Sequence, residues 1–274
     1  MIKDDWQLRN LLGWDEPWYL QRYPDVAQAC SRGAFFDGLQ HYLLFGRHEG
    51  RYPSAAAEQA RRSPLPARFS IGRYEVPSDW PVKGEPATTF LVRLSNGFFC
   101  DYLSGDVVLD IGYKGGGKEE AVPIFPHAFG IDLDYPGYDG LHLPFDDESV
   151  DAVFASHVLE HIPQYHTAIG EWFRVLRQGG FLVCIVPHQF LYEKRAGLPS
   201  KWNPDHKRFY TPAGLLREIE EALPSNTYRV RHLRDNDYGY LYSIEPDKHP
   251  GGCYEIELVI EKIVPPAWSL AGTP

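Results

Sequence analysis

Three short stretches carry residue types that could do chemistry. Residues 108–117 read VLDIGYKGGG, in which aliphatic residues flank an aspartate and four glycines fill six positions. Glycines at the end of a strand let the chain turn through positive φ and bring backbone N–H groups against a ligand. HVLEH at 157–161 sets His157 and His161 around Glu160, types that move protons near neutral pH or bind metals. NPDHKRFYTP at 203–212 adds Asp205, His206 and Arg208.

Such groups need elements to hold them. DVVLDIG (106–112), HAFGIDLD (127–134), SVDAVFAS (149–156) and GGFLVCIVP (179–187) are nearly continuous apolar runs, as expected of parallel strands covered on both faces. Between the last two, Ile169, Trp172, Phe173 and Leu176 make one helical face, with Gly179 and Gly180 as its stop. TPAGLLREIEEAL (211–223) has Thr at the cap and Pro at the first position of a second helix. TYRVRHL and CYEIELVIEKI read as closing strands. Alternating strands and helices predict a doubly wound α/β domain over 69–274. Ligands of such sheets sit beyond the carboxyl ends of the strands, where VLDIGYKGGG falls.

The first 53 residues predict a small helical unit, with Trp18, Tyr19, Tyr23 and Val26 and then Phe36, Leu39, Tyr42 and Leu43 at helical spacings. Residues 54–68, rich in Ala, Pro, Ser and Arg, predict a linker with room for a helical turn. A net charge of −10 argues against nucleic acid as a partner, since phosphate contacts need surplus Lys and Arg. The four cysteines are far apart, and Cys184 in FLVCIV reads as a reduced core thiol. MIKDDWQLRN does not read as a signal peptide, and no run is long and apolar enough to span a bilayer. A cytoplasmic location is expected.

Glycine-rich turns at this place serve dinucleotides or S-adenosylmethionine, and this turn lacks the second glycine of GxGxxG. A third possibility is a turn with no ligand at all. The string GIDLDYPGYDGLHLPFDDESVDAVFASHVLEHI (130–162) closely resembles class I S-adenosylmethionine-dependent methyltransferases of the type 11-like group. That resemblance implies a Rossmann-like seven-stranded sheet with an antiparallel last hairpin, and S-adenosylmethionine bound over the first two strands. It places Asp110, Gly112, Tyr113, Lys114, Gly115 and Gly116 beside the donor's amino-acid part. Asp132 and Leu133 fall at the ribose, Asp139, Gly140 and Leu141 at the adenine, and Ser156 and His157 at the sulfonium side.

Two departures from the family pattern stand out. Lys114 occupies the second glycine's place, so either its side chain points away from the donor or the turn reroutes through Gly115 to Gly117. The usual helix between the second and third strands is missing, leaving the adenine side open or closed by another segment such as 69–85. HVLEH also fits the HxxEH of zinc proteases, but it follows a buried strand. Ubiquinone-pathway O-methyltransferases resemble the same stretch and use ExxEH for a divalent metal. Here His157 stands first while Glu160 and His161 match, so a metal role stays open beside a catalytic one, and no metal ligands are assigned.

The family's acceptor pocket corresponds to 186–212, which mixes Phe190, Tyr192, Trp202, Phe209 and Tyr210 with His188, Asp205, His206 and Arg208. Such a mixture suits a sugar or another polyhydroxylated acceptor, and 236–257 adds tyrosines to the same expected cleft. WYLQRYPDVA and GLQHYLLFGRHEGRYP resemble a short module found beside bacterial surface-polysaccharide glycosyltransferases. The expectation is methyl transfer to a sugar hydroxyl of a cell-surface glycan, with His161 as base among the catalytic candidates His157, Glu160, His161 and His206. Alternatives are a small-metabolite methyltransferase and a non-catalytic binding protein of the same fold.

Overall fold

The structure of the chain is a computed structural model that describes residues 9, 13–47, 49–62, 66–115 and 120–268. It divides into two compact units, residues 1–65 and 66–274.

In the first unit α1 (Glu16–Arg22), α2 (Pro24–Ser31), α3 (Gly38–His41) and a π-turn at Tyr42–Gly46 surround the buried Tyr19. Asp15 caps α1 by accepting from the Trp18 N–H, and Pro24 opens α2. Tyr19 packs on Trp14, Tyr23 and Tyr42 and bonds His41 Nδ1 through its hydroxyl at 3.1 Å. A Cβ on Gly46 would lie 2.2 Å from that hydroxyl, which accounts for the glycine in YLLFG. Two expectations fail here. Phe36 precedes the helix and is 91% exposed, because the turn through Gly33 ends only at the Asp37 cap of α3. Residues 55–62, read as linker, form α4 (Ala55–Arg62), as three successive alanines favour.

In the second unit a short hairpin, β1 (Arg68–Ile71) with β2 (Tyr74–Pro77), precedes α5 (Pro86–Ser95) and α6 (Phe98–Tyr102). The main sheet holds β3 (Val108–Ile111), β4 (Phe129–Ile131), β5 (Val150–Ser156), β6 (Leu176–Pro187), β7 (Tyr228–Asn236) and β8 (Glu255–Lys262), ordered β4-β3-β5-β6-β8-β7. The first four are parallel, and β8 runs antiparallel between β6 and β7. Helices α7 (Tyr165–Val175) and α8 (Pro212–Ala222) complete an α/β, Rossmann-like architecture.

The expected seventh strand is not among the described residues of the sheet. Only residues 132–149 separate β4 from β5, and with Pro136, Gly137, Gly140 and Pro144 they turn without forming a helix or strand. Too few residues remain for a helix, a strand and a second helix. The helix before β6 stops at Val175, and β6 begins at Leu176, so Gly179 and Gly180 lie in the strand. A Cβ on Gly180 would meet the Val150 and Asp151 carbonyls, so close strand approach rather than helix termination explains that glycine.

Alternation along the strands sorts the core into two layers. Leu109, Ile111, Val153, Ala155 and Cys184 pack with Ile169, Trp172, Leu215 and Ile219 of α7 and α8. Val108, Phe154, Val183 and Ile185 pack with Phe90, Leu94 and Phe99 of α5 and α6. A buried charge network also ties α5 to the sheet. The Arg93 guanidinium reaches Glu255 at 2.6 Å and Glu257 at 2.9 Å from within the second layer.

Candidate active site

A cavity of about 530 Å³ opens at the carboxyl ends of β3, β4 and β5. Asp110, Gly112, Tyr113, Lys114, Gly115, Asp132, Leu133 and Gly140 line one part of it. Ser156, His157, Glu160, His161 and His206 line another. Gly116 and Gly117 lie outside the described residues.

Gly112 has φ 72°, and a Cβ there would come within 2.5 Å of Val158. Both facts disfavour a side chain there and keep the end of β3 bare. Lys114 does not fill the space the absent glycine would leave, because its ammonium is paired with Asp134. Its backbone N–H instead donates to Asp132 Oδ2 at 3.1 Å, and the Leu133 N–H donates to Oδ1 at 2.8 Å. Each carboxylate oxygen retains a lone pair. Asp110, 5% exposed, accepts from the Ile124 N–H at 2.6 Å. Burial pushes its carboxyl up to about 8, with that hydrogen bond opposing and the Asp132 charge adding to the rise.

Asp139 and Leu141 are not among the lining residues. Asp139 is occupied with its own loop, accepting from the Leu141 and His142 N–H groups and pairing with the His142 ring at 2.8 Å. The ring and those two N–H groups hold its carboxyl well below the usual range. Leu141 packs on the hydrophobic layer beneath α7. Residues 82–86 contribute lining in addition, so the segment before α5 does reach this cavity.

His157 follows β5 with φ 57°, a left-handed conformation uncommon for a residue with a side chain. Its N–H donates to Ile185 and its Nε2 meets Glu255 at 3.1 Å. Burial opposes the imidazolium, but Glu255 and Glu160 outweigh it, so the His157 pKa is raised. The same Glu255 is held down to about 2: burial opposes its charge, and Arg93 and His157 more than offset that.

Glu160 and His161 stand on a single 3-10 turn, Leu159–His161. The 203–210 loop is fastened over that turn: the Lys207 N–H donates to the Glu160 carbonyl at 2.8 Å, and Arg208 donates to the Leu159, Ile162 and Pro163 carbonyls. This brings the His161 and His206 rings to 4.9 Å. His161 Nδ1 is 3.0 Å from Asp205, and His206 Nδ1 is 2.5 Å from Glu193. One ligand-type atom from each of Glu160, His161 and His206 lies within 4.8 Å of the others.

Of the expected acceptor loop, Tyr192, Asn203, Asp205 and His206 line the cavity; His188, Phe190, Trp202, Arg208 and Tyr210 do not. His188 caps the turn after β6, Phe190 is 66% exposed, and Tyr210 bonds Glu218 under α8. No residue of 236–257 lines the cavity; its contribution is indirect, through Glu255 on His157 and Tyr254 on Glu85. Glu193, Glu255 and Arg93 gave no signal in sequence, since their roles arise from strand pairing and a loop folded back over β6.

Residues 120–184 match the family model of a methyltransferase domain. The chain is 30% identical over 135 residues to a probable S-adenosylmethionine-dependent methyltransferase of Mycolicibacterium smegmatis, covering 43% of this chain and 52% of that protein. It thus spans about half the length of that relative. A demethylmenaquinone methyltransferase of Thermobifida fusca is 26% identical over 212 residues, covering 68% of this chain and 80% of its own. Among solved structures, an S-adenosylmethionine-dependent methyltransferase of Archaeoglobus fulgidus is 15% identical with a TM-score of 0.41, over 63% of this chain and 93% of that one.

Proposed function

We propose that this chain is an S-adenosylmethionine-dependent methyltransferase whose acceptor atom is an oxygen, a sugar hydroxyl of a surface glycan. One observation carries the reading: a bare glycine turn with a carboxylate beside it shares a cavity with a Glu–His–His cluster. The residues present fit the donor. Asp132 offers a lone pair on each oxygen to a pair of ribose hydroxyls. Asp110 and the turn after Gly112 face the amino-acid end, and Ser156, whose hydroxyl is buried without a hydrogen-bond partner, lines the same cavity. When bound, the donor supplies an activated methyl group. The chain's own work is then to hold the acceptor oxygen in line and to take up or weaken its proton, for which the cluster of Glu160, His161 and His206 stands ready. Tyr192, Asn203 and Asp205 on the same wall offer the mixed aromatic and polar contacts a sugar ring requires. The resemblance of the first unit to a module beside surface-polysaccharide enzymes favours a glycan.

A second reading is methylation at a quinone carbon, favoured by the Thermobifida relative. Calorimetry with S-adenosylmethionine and its demethylated product tests the donor site, and no heat with either would overturn the enzyme reading. Labelled-methyl transfer to sugar acceptors and to demethylmenaquinone, with the product position fixed by NMR, separates oxygen from carbon. Label on a ring carbon of the quinone alone would overturn the oxygen assignment.

A further inference from the structure

We propose that Glu160, His161 and His206 form a binding site for one divalent transition-metal cation in the floor of the cavity. The first observation is a buried carboxyl group without a hydrogen-bond partner. Glu160 is fully buried, yet neither of its carboxylate oxygens accepts a hydrogen bond. The nearest imidazole nitrogens are His157 Nδ1 at 3.7 Å and His161 Nε2 at 3.8 Å, both beyond hydrogen-bond reach. A buried carboxylate with both oxygens unsatisfied is costly, and coordination to a cation is one of the few ways to compensate it.

The second observation is independent of the first. Two imidazoles beside Glu160 are each held at Nδ1 by a carboxylate, His161 by Asp205 and His206 by Glu193. Those carboxylates are anchored in turn: Asp205 by Lys207 at 2.6 Å, Glu193 by the Ser200 hydroxyl at 2.6 Å. A carboxylate on Nδ1 fixes the tautomer that leaves the Nε2 lone pair for a metal and fixes the ring's orientation. The backbone bond from Lys207 to the Glu160 carbonyl then locks the two ligand-bearing segments together before any ion arrives.

The ligand atoms lie within 4.8 Å of one another. Ligands about 2.1 Å from a tetrahedral ion sit roughly 3.4 Å apart, so side-chain rotations of about an ångström close the site. His157 takes no part, because its Nε2 is committed to Glu255. The set is therefore two imidazoles and one carboxylate, completed by a loop some 45 residues downstream of the HVLEH stretch. Two nitrogens and one oxygen favour zinc, manganese, cobalt or iron over magnesium, which prefers an all-oxygen shell with several waters. Three protein ligands leave positions open to the cavity, as in metal sites that act on a substrate rather than on the fold. Granting the proposed function, the ion would bind the acceptor hydroxyl and lower its pKa, so that the proton leaves to solvent as carbon–oxygen bond formation proceeds.

The test begins with full-length protein stripped by a chelator and titrated with cobalt(II), zinc(II), manganese(II) and magnesium(II), with no donor present. The expected result is one cobalt per chain with an intense visible absorption of low-coordinate Co(II), displaced by zinc, and no saturable binding of magnesium at matched concentration. E160Q, H161N and H206N should each weaken zinc at least 100-fold, while D205N and E193Q weaken it about tenfold or more. Retained S-adenosylmethionine affinity in these variants shows that they are folded. Absence of the cobalt spectrum in the wild-type chain, or zinc binding unchanged in E160Q and H206N, overturns the site. Metal binding without donor binding would instead preserve the site and refute the proposed function, so the two failures are told apart.

Discussion

Asp110 keeps a proton at neutral pH because burial lifts its carboxyl from 3.8 to about 8. The folded value is the higher one, so its contribution to stability is full below about pH 4 and is lost as pH rises through 8. Asp110→Asn should flatten that part of a denaturation-midpoint profile between pH 4 and 8. If Asp110 meets the donor's ammonium, binding expels the proton, and donor affinity should rise with pH towards 8 by at most tenfold per unit. Calorimetry in buffers of different ionisation enthalpy would show the released proton, and a flat affinity from pH 6 to 8 would remove Asp110 from the site. For Asp132, truncation to alanine should cost donor binding about 2 to 4 kcal/mol, the value of two charge-assisted hydrogen bonds. Unchanged affinity would refute the ribose assignment. Lys114→Gly should bind donor at least as well as the parent, because the ammonium is already engaged by Asp134. A large loss would mean that the lysine itself touches the donor.

At the scale of elements, the network joining α5 to β8 decides how His157 is held. Arg93, 1% exposed, offsets Glu255 and Glu257, and Glu255 in turn grips His157. Arg93→Met should destabilise the fold by about 3 to 5 kcal/mol, since two buried carboxylates lose their partner. Chemical denaturation measures it, and a loss under 1 kcal/mol would mean that water or His232 replaces the arginine. The strands of the sheet were legible because continuous apolar runs such as SVDAVFAS have few other interpretations. The cap of α8 was legible too, since Thr211 and Pro212 act locally, with Thr211 accepting from the Gly214 N–H at 3.2 Å. The Arg93 network was not, because an arginine in a helix reads as surface until pairing places two glutamates opposite it. For the same reason the partners of His161 and His206 escaped notice: Asp205 and Glu193 acquire their roles only when the 203–210 loop folds over the 3-10 turn. The loop-capping bonds of Asp139 were equally invisible, because a motif shows only its position in the chain.

For the whole molecule, the division at residue 65 yields a direct expectation. A chain of residues 66–274 should fold cooperatively and bind S-adenosylmethionine with the affinity of the full-length protein, as circular dichroism and calorimetry would show. Aggregation, or a loss of affinity beyond about tenfold, would show that the first unit supports the second. None of the described helices is long and apolar enough to cross a membrane.

Among the described residues the sheet ends at β4, which pairs only with β3. An unpaired edge invites strands of other copies to add to it. Here the invitation is small. With three residues in β4, a passing strand could gain about two ladder hydrogen bonds, and it would meet Asp132 and Asp134 directly after them. Phe129, 45% exposed, is the one exposed large apolar side chain on that strand, since Ile131 is buried. This edge is thus a margin too short and too acidic to template fibrils, and lengthening it, for instance by Asp132→Val with Asp134→Thr, should bring concentration-dependent self-association that light scattering would detect.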